Sequence, residues 1–568
     1  MTLRIRWLGR VRYRDADALQ HALWRTATDD YLLLLEHPHV YTLGVRADPA
    51  HVLVEPATVG AELVRADRGG DVTYHGPGQL VGYPVLTVAR PPALPDTPAY
   101  VHAVEQLVID ALGDLGLRGV SRLDGYPGVW VGVADGRPRK IAAIGVRLSR
   151  RRSLHGFALN VDPDLAMFGH IVPCGITEYP VTSLAAEGIS ASIADGVNAV
   201  AARAAARWGG GVAERADVAW RVASDDLAPF TREGGGRLLV RLSAAGVDAT
   251  RSQPIEQRKP EWVRAKVHLG ARQRDLRRTL RSLDLVTVCE EAGCPNLSEC
   301  WADGTATFMI NGDRCTRACG FCLVDTRHPE PPDPDEPSRV AESVARMGLA
   351  HAVVTAVARD DLGDGGAAAF AATIHAIRAR CPGTAVEVLI PDCKGDPAAL
   401  GEVFAAGPDV LNHNIETVAR LQRAVRPSAS YARSLAVLSR AAEAGLTVKS
   451  GLIVGMGETD EEVLGALADL RAVGTDIVTI GQYLRPTARH LPVARWVPPE
   501  TFEFYKRCGE ALGIAHVQSS PLTRSSYHAR QAAEGERGAV EVDHRGDRRR
   551  SCAHSTRPTG GRNSTARA

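Results

Sequence analysis

Six of the eleven cysteines fall in two triplets between Cys289 and Cys322. The second triplet, C-T-R-A-C-G-F-C at residues 315–322, closely follows the apolar β-type run T-F-M-I, so three thiolates would share one tight loop after a strand. A structural zinc site needs four closed ligands, whereas a 4Fe-4S cluster held by three cysteines keeps one iron open for a substrate or cofactor. The C-x3-C-x2-C spacing therefore favours an open iron–sulfur cluster, with a zinc or inert cysteine loop as the alternative.

Further candidate ligands lie on either side of this loop. The first triplet is spaced x4 and x5, which by itself suits either half of a zinc site or a second cluster. R-S-S-Y-H-A at residues 524–529 is by itself a polar turn or a helix cap. The remaining cysteines of this part lack ligand spacing and are interpreted as core or surface thiols: Cys381, Cys393, Cys508 and Cys552.

The first part of the chain carries a different kind of cysteine. Cys174 is the only cysteine before residue 225, and it stands between proline and glycine in I-V-P-C-G-I-T, a backbone setting for exposure. A lone cysteine is more often an inert buried thiol, and the glycine-rich stretch R-G-G-D-V-T-Y-H-G-P-G-Q at residues 68–79 is by itself more often structural. The glycine-rich stretch would let the backbone approach a ligand closely.

The elements that must position these residues divide the chain into two domains. At 568 residues the chain exceeds what one hydrophobic core supports, and its 45% apolar and 23% charged residues are typical of globular proteins. Residues 1–225 mix short β-type runs with helical stretches, which predicts an α+β domain. Residues 226–236 end in three glycines and are predicted to form a linker. Residues 536–568 are predicted to be a disordered basic tail.

Residues 237–535 alternate β-branched runs with amphipathic helical stretches. After T-F-M-I, such runs recur at residues 352–357, 385–390, 409–416, 448–455 and 477–484. This alternation predicts parallel strands joined by helical crossovers, hence an α/β partial TIM-like barrel of six βα units with its chemistry at the C-terminal ends of the strands. A net charge of +1, with neither a signal peptide nor a bilayer-spanning run, predicts a cytoplasmic protein that binds neither nucleic acid nor membrane.

The two cysteine triplets, with the stretches around them, resemble the lipoyl synthases, which are radical S-adenosylmethionine (SAM) enzymes. The resemblance covers roughly residues 237–530 and includes Q-P-I-E-Q-R-K-P-E-W, N-H-N-I-E-T-V and K-S-G-L-I-V-G-M-G-E-T. It implies SAM as cofactor and two 4Fe-4S clusters, one binding SAM on Cys315, Cys319 and Cys322, and one auxiliary sulfur donor on Cys289, Cys294, Cys300 and Ser526. A 5'-deoxyadenosyl radical would then allow two sulfurs to be inserted at C6 and C8 of an octanoyl chain. Ala358 and Cys393 depart from the family pattern, which usually has an acidic residue and Phe there.

The first 225 residues resemble lipoyl(octanoyl) transferases, which share the fold of biotin and lipoate ligases. The matching motifs are L-E-H-P-H-V-Y-T-L-G, the glycine-rich stretch, K-I-A-A-I-G, H-G-F-A-L-N and I-V-P-C-G-I-T. The resemblance implies transfer of an octanoyl group from acyl carrier protein to a lysine of a lipoyl domain through a thioester on Cys174. Cys174 would be the nucleophile and Lys140 its acid–base partner. It also implies an octanoyl pocket lined by Arg68, Gly69, Gly70, Asp71, Val72, Thr73, Tyr74, His75, Ala143, Ile144, Gly145, Gly156, Phe157 and Ala158.

Together the two resemblances imply a bifunctional enzyme of lipoate biosynthesis. Its partners would be octanoyl-acyl carrier protein, the lipoyl domains of 2-oxoacid dehydrogenases and the glycine cleavage H protein, and an electron donor such as ferredoxin or flavodoxin. The basic stretch at residues 147–152 would dock the acidic carrier protein, or is only a solvated loop. The alternatives are a lipoate- or biotin-ligase-like first half, another radical sulfur-inserting enzyme such as biotin synthase as the second, or one half acting as a non-catalytic scaffold.

Overall fold

The structure, a computed structural model, describes residues 1–89, 93–220, 236–264, 286–287 and 305–526. Three sequence predictions lie wholly or mostly outside the described residues: the triplet Cys289, Cys294 and Cys300, the linker at 226–236 and the tail at 536–568. Within the described residues, no helix is long and apolar enough to cross a membrane.

The first half consists of two sheets with helices packed against them, as predicted for an α+β domain. Its strands are β1 (Leu3–Arg10), β2 (Asp30–Glu36), β3 (Val40–Leu43), β4 (Glu62–Arg65), β5 (Val72–His75), β6 (Gln79–Val85), β7 (Val120–Leu123), β8 (Tyr126–Val131), β9 (Arg139–Ser149), β10 (Arg152–Asn160) and β11 (Ala213–Asp217). Its helices are α1 (Tyr13–Thr26), α2 (Thr97–Asp114) and α3 (Ile193–Trp208). The large sheet has the order β11-β1-β2-β6-β10-β9-β8-β7, and the small sheet has the order β4-β3-β5.

The large sheet is covered on both faces, which explains the run D-Y-L-L-L-L-E in β2. Successive side chains of a strand point to opposite faces. Leu32 and Leu34 join the core formed with α2 and α3, whereas Leu33 and Leu35 join a second core on the α1 side. A strand that is buried on both faces needs a continuous apolar run and not an alternating one.

The second half is a partial barrel that begins after helix α4 (Gly236–Ala244). Its strands are β12 (Val286–Thr287), β13 (Thr305–Ile310), β14 (His351–Ala356), β15 (Ala385–Leu389), β16 (Val410–Asn412), β17 (Thr447–Val454), β18 (Ile477–Gln482) and β19 (His516–Ser519). Its helices are α5 (Glu336–Met347), α6 (Ala367–Arg380), α7 (Pro397–Ala405), α8 (Gln422–Val425), α9 (Tyr431–Glu443), α10 (Asp460–Ala472) and α11 (Pro499–Ala511). The strands lie side by side in sequence order from β12 to β19.

The barrel confirms the predicted order of parallel strands and crossover helices. Strands β13 to β19 are all parallel, and each of the six predicted runs contains or overlaps one of the strands β13 to β18. Strand β12 pairs antiparallel with β13 and was not predicted. Strand β19 was also not predicted, because H-V-Q-S is short and carries one β-branched residue.

The two halves of the chain pack directly against each other. Helix α1 lies against α9, and one hydrophobic cluster contains residues of both halves, including Leu19 of α1 and Leu435 of α9. A buried ion pair crosses the same interface, where Arg6 of β1 donates to both carboxylate oxygens of Asp469 in α10 at 2.9 Å. The halves are therefore joined by a packed interface as well as by the chain between them.

Candidate active sites

The three cysteines of the C-x3-C-x2-C motif lie on the loop that follows β13. Cys315, Cys319 and Cys322 are half-buried and line one cavity of about 620 Å³. The same cavity is lined by Asn412 at the end of β16 and Gln482 at the end of β18. The site thus lies at the C-terminal ends of the parallel strands, where the barrel architecture predicts it.

Burial keeps these thiols protonated when no cation is bound. It raises the pKa of Cys319 to about 11 and that of Cys322 to about 12, and it raises the pKa of Cys315 as well. Iron binds the thiolate, so cluster assembly must release these protons, and the bound cation then stabilises the deprotonated sulfurs. Three cysteines that line one cavity suit a cluster that leaves one iron facing the cavity.

The cavity also carries polar groups that fit a small polar cofactor. The side-chain oxygens Oδ1 of Asn412 and Asn414 are buried and have no hydrogen-bond partner among the described residues. Both asparagines line the cavity, as do Lys259 and Glu416. Burial raises the pKa of Glu416, whereas the nearby Arg426 lowers it. Uncommitted acceptors and a cation beside the cysteines suit a molecule with amine and carboxylate groups such as SAM.

Ser526 lies on the wall of the cysteine-lined cavity, together with its neighbour Ser525. Ser525 accepts a hydrogen bond of 2.7 Å from Nδ2 of Asn414, which ties the C-terminal end of the described barrel to the end of β16. The other residues that the family resemblance assigns to the auxiliary cluster, Cys289, Cys294 and Cys300, lie outside the described residues. The auxiliary ligand set stays a prediction, with Ser526 available on the cavity wall.

The two departures from the family pattern occupy different positions. Ala358 lines the cavity, and its carbonyl accepts hydrogen bonds from the backbone N–H and the hydroxyl of Thr316 in the cysteine loop. Cys393 is buried at 2% exposure, and its backbone packs close to Gly365. Ala358 therefore changes the wall of the cavity, whereas Cys393 lies in the packing around it.

In the first half, Cys174 lies in a short 3-10 turn, Pro173–Gly175. Its φ of 58° is left-handed, a conformation that non-glycine residues rarely adopt. The turn is held by a hydrogen bond of 2.8 Å from the N–H of Val172 to the carbonyl of His51. Strained backbone of this kind is typical of functional sites that the surrounding structure holds in place.

A histidine–aspartate pair lies beside this turn. Nδ1 of His51 is 2.6 Å from Oδ2 of Asp71. A Cβ atom on Gly175 would be 2.8 Å from that same carboxylate oxygen and 3.5 Å from the His51 ring. Asp71 belongs to the predicted pocket, but His51 was not predicted because no motif includes it.

Lys140 is buried on β9 and lies over the ring of Trp130, with Nζ 4.8 Å from the ring centroid. The backbone N–H of Lys140 donates to Pro180 at 2.9 Å, and its carbonyl accepts from Thr182 at 2.9 Å. These bonds tie the segment that follows Cys174 to the strand that carries Lys140. A Cβ atom on Gly128 would be 3.1 Å from Cε of Lys140, so glycine leaves room for the lysine side chain.

Arg68 is a buried cation close to the cysteine. Its Nη2 donates to the carbonyl and hydroxyl oxygens of Thr42 at 2.6 and 2.8 Å. Burial lowers the pKa of Arg68, whereas the neighbouring Tyr13 and Cys174 raise it. The charge of Arg68 therefore lies within electrostatic range of Cys174.

Several of the other predicted pocket residues belong to hydrophobic cores, and the rest are buried or half-buried. Val72 and Tyr74 belong to a small core cluster, and Phe157 belongs to the main core of this half. The other members of the set are buried (Thr73, His75, Gly156 and Ala158) or half-buried (Gly69, Gly70, Ala143, Ile144 and Gly145). A Cβ atom on Gly156 would be 2.2 Å from a carbonyl oxygen of β6, so this glycine allows close packing of the two strands.

Family comparisons match both halves of the chain. The lipoyl protein ligase A/B catalytic domain matches residues 12–205. The N-terminal domain of lipoyl synthase of the radical SAM family matches residues 245–294, and the radical SAM superfamily matches residues 309–470.

Individual relatives agree with these matches. The lipoyl synthase of Kineococcus radiotolerans is 55% identical over 294 residues, which are 52% of this chain and 87% of that protein. The lipoyl synthase of Mycobacterium tuberculosis is 54% identical over 304 residues, which are 54% of this chain and 96% of that protein.

Two solved structures also align with parts of the chain. A bi-partite lipoate protein ligase from Thermoplasma acidophilum aligns with 38% of this chain and 86% of its own at 20% identity and a TM-score of 0.32. Methylornithine synthase aligns with 43% of this chain and 81% of its own at 16% identity and a TM-score of 0.28.

The family matches and the curated relatives confirm the two resemblances read from the sequence. Lipoyl synthases of the radical SAM family use SAM and two 4Fe-4S clusters. Through its second half this chain belongs to the lipoyl synthase family, and that half follows a catalytic domain of the lipoate-protein ligase and octanoyltransferase type.

Proposed function

We propose that the first half transfers an octanoyl group from acyl carrier protein to a lysine of a lipoyl domain through a thioester on Cys174. Three observations support this: Cys174 lies on a strained turn, the charge of Arg68 lies within electrostatic range of it, and backbone hydrogen bonds tie the segment after Cys174 to the strand of Lys140. A nucleophilic cysteine near a cation, with a lysine available for proton transfer, suits thioester exchange.

In the first step, the thiolate of Cys174 attacks the thioester carbon of the octanoyl carrier protein. The new bond joins the Cys174 sulfur to the acyl carbon, the bond to the phosphopantetheine sulfur breaks, and Lys140 gives that sulfur a proton. In the second step, the amine of the acceptor lysine attacks the Cys174 thioester. Lys140 takes the proton that this amine loses, and the thiolate of Cys174 is restored.

For the second half, we propose that Cys315, Cys319 and Cys322 hold the SAM-binding cluster, and that Ser526 joins Cys289, Cys294 and Cys300 around the auxiliary cluster. When bound, the two clusters supply the electron that cleaves SAM and the sulfur atoms that enter the octanoyl chain. The buried oxygens of Asn412 and Asn414 offer acceptors to a ligand in the cavity. The octanoyl-lysine that the first half makes is the substrate of this half.

Single-site variants of the full chain separate the two activities. Cys174→Ala should abolish octanoyl transfer, yet it should still convert a pre-octanoylated lipoyl domain to the lipoyl form. Cys315→Ala should octanoylate the lipoyl domain and stop there. Cys381→Ala is the matched control, because Cys381 is a half-buried cysteine outside both sites.

The same chain distinguishes transfer from ATP-dependent ligation, the main alternative for the first half. Mixing it with octanoyl carrier protein in the absence of nucleotide should add the mass of one octanoyl group to the peptide that contains Cys174. Full transferase activity in Cys174→Ala, or a strict requirement for ATP, would contradict the proposed mechanism.

The carrier-protein docking site is proposed to include Arg150 and Arg151. Both have positive φ at the β9–β10 turn. Arg152, in contrast, donates to the carbonyl of Ala27 at 2.6 Å at the end of α1, which gives it a structural role. Arg150→Glu with Arg151→Glu should raise KM for octanoyl carrier protein and leave kcat unchanged, whereas the exposed control Arg118→Glu should leave both unchanged. An unchanged KM in the double variant would remove the docking role.

The remaining partners are proposed by chemical class. The acceptors are lipoyl domains of 2-oxoacid dehydrogenases and the glycine cleavage H protein, since each presents a lysine on a small domain. The electron donor is a one-electron carrier protein of the ferredoxin or flavodoxin type, because reductive cleavage of SAM consumes one electron. Reduction of the reconstituted enzyme by each carrier, followed by stopped-flow absorbance, would identify the donor.

A further inference from the structure

A chain of alternating charges runs from the first half of the protein into the three-cysteine loop. Oδ2 of Asp15, on α1, accepts from Nε of Arg433, on α9, at 3.4 Å. Nη1 of Arg433 donates to Oδ2 of Asp392 at 3.5 Å. Nη2 of Arg317 donates to Oδ1 of Asp392 at 2.5 Å. Three contacts thus connect a helix of one catalytic domain to the cofactor-binding loop of the other.

These charged groups are removed from solvent, so their arrangement is restricted. Asp15 and Asp392 have side-chain exposures of 3% and 0%, Arg317 has 7% and Arg433 has 22%. Asp15 also faces Arg440, whose Nη1 is 3.3 Å from Oδ1. In a buried network, removing one carboxylate leaves the facing guanidinium groups without compensation, and these must then move or recruit water.

Helix α1 also contacts the backbone beside Asp392. Cys393, Lys394 and Gly395 all have left-handed backbone, with φ values of 42°, 54° and 67°. A Cβ atom on Gly395 would be 3.0 Å from Oδ1 of Asp15, so this strained loop lies directly against α1. Three consecutive left-handed residues persist only where the surroundings hold them, and Asp15 belongs to those surroundings.

The far end of the chain of charges lies inside the cysteine motif. Arg317 is between Cys315 and Cys319, and its backbone N–H is 3.4 Å from Sγ of Cys315. Its guanidinium binds Asp360 at 2.7 Å as well as Asp392. Because two carboxylates hold this side chain, the position of Asp392 helps to set the position of the loop.

We propose that Asp15 is a positioning residue for the radical site: acting through Arg433 and Asp392, it fixes Arg317 and with it the loop that carries Cys315 and Cys319. The transferase half thereby contributes to the cofactor site of the synthase half. The inference rests on the proposed cluster ligands only in its SAM-binding readout, since the position of the loop is measurable without any cluster.

The test uses the full chain and five variants. Asp15→Asn removes the charge at constant size, Asp15→Glu keeps the charge, and Arg433→Gln breaks the chain of contacts from the barrel side. Glu443→Gln is the matched interface control, because Glu443 pairs with Arg25 across the same interface at 3.1 Å and is exposed. Asp469→Asn loosens the interface at a different point and controls for general loosening.

Two readouts are compared across these variants. In the metal-free chain, hydrogen–deuterium exchange of the 315–322 peptide should accelerate about fivefold in Asp15→Asn and Arg433→Gln, and remain at the wild-type rate in Asp15→Glu and Glu443→Gln. In the reconstituted chain, the Kd for SAM should rise about fivefold in Asp15→Asn and Arg433→Gln only. If Asp15→Asn does not fold, Arg433→Gln alone decides the exchange result.

Wild-type exchange of the 315–322 peptide in both Asp15→Asn and Arg433→Gln would overturn the proposal. Equal acceleration in Asp469→Asn would overturn it too, since the effect would then come from the interface as a whole. If the wild-type chain does not bind SAM, the cluster assignment fails, and the exchange data still decide the role of Asp15.

Discussion

The buried ion pair between the halves offers the sharpest test of how strongly they are joined. Side-chain exposure is 2% for Arg6 and 4% for Asp469, and the hydroxyls of Tyr31 and Tyr431 donate to the same carboxylate at 3.3 and 3.0 Å. Asp469→Asn keeps the size of the side chain and removes its charge. Breaking a buried pair from one side costs about 3–5 kcal/mol, because the other charge remains buried without compensation.

A second contact reduces this cost for Arg6. Its Nη2 also lies 3.0 Å from Glu214, whose side chain is 31% exposed, so part of the compensation survives. We therefore expect the lower end of the range, about 3 kcal/mol. For a cooperative unit of about 150–250 residues, the size range of the first half, this loss of stability corresponds to a fall in Tm of about 6–12 °C.

Differential scanning calorimetry of the full metal-free chain measures this fall. The control Glu443→Gln breaks an exposed pair across the same interface and should lower Tm by less than about 4 °C. In a double-mutant cycle, Asp469→Asn should cost about 2 kcal/mol less in the Arg6→Met background, because no buried cation is then left behind. A coupling energy below about 0.5 kcal/mol, or a fall in Tm equal to that of the control, would refute the reasoning.

Three further predictions concern packing and titration within each half. Gly156→Ala should lower the free energy of unfolding by about 1–3 kcal/mol, because its Cβ would be 2.2 Å from a β6 carbonyl, whereas Gly113→Ala, inside α2 with open space around it, should raise it by about 0.5–1 kcal/mol in thermal unfolding. Burial raises the pKa of Glu387, but the buried Lys449 beside it lowers that pKa to about 2. Lys449→Met would leave this carboxylate buried without its partner, so it should lower the free energy of unfolding by about 3–5 kcal/mol at neutral pH. That cost should shrink in denaturant titrations at low pH, as the carboxyl takes up a proton. Burial lowers the pKa of His37 from 6.5 to about 4, so the unfolded chain alone carries that proton between these values and stability falls as the pH is lowered. His37→Gln should therefore remove about 1.4 kcal/mol per pH unit from that fall, and an unchanged slope would contradict a buried neutral His37.

The barrel was predicted well because most of its strands consist of compact apolar runs in the sequence. Each run from T-F-M-I to residues 477–484 contains or overlaps a parallel strand, since a strand covered on both sides by helices and core needs continuous apolar residues. The strands β12 and β19 contain too few apolar residues to be predicted from the sequence. The element that packs on α1 could not be predicted either, because the periodicity of a helix shows that one face is apolar and does not show which element packs against that face.

The functional residues divide in the same way. The three-cysteine loop was found from local spacing, since its ligands are close in sequence. Arg68 and Lys140 were predicted for the Cys174 site only through the family resemblance, and His51 was not predicted, because all three residues are far from Cys174 in sequence. Gly156 shows the opposite difficulty, since a small residue in a motif suggests room for a ligand when here it allows close packing of strands.

The packed interface limits how an intermediate can pass between the two sites. A hydrophobic cluster shared by both halves and a buried ion pair resist the reorientation that a flexible tether alone would allow. If the first half octanoylates a lipoyl domain at Cys174 as proposed, that domain must then move from the surface near Cys174 to the mouth of the barrel cavity. The fixed geometry makes a direct transfer testable: loosening the interface with Asp469→Asn should change the partition between lipoyl and octanoyl products when free octanoylated acceptor competes. An unchanged partition would mean that the acceptor dissociates fully between the two reactions, independently of how the two halves are arranged.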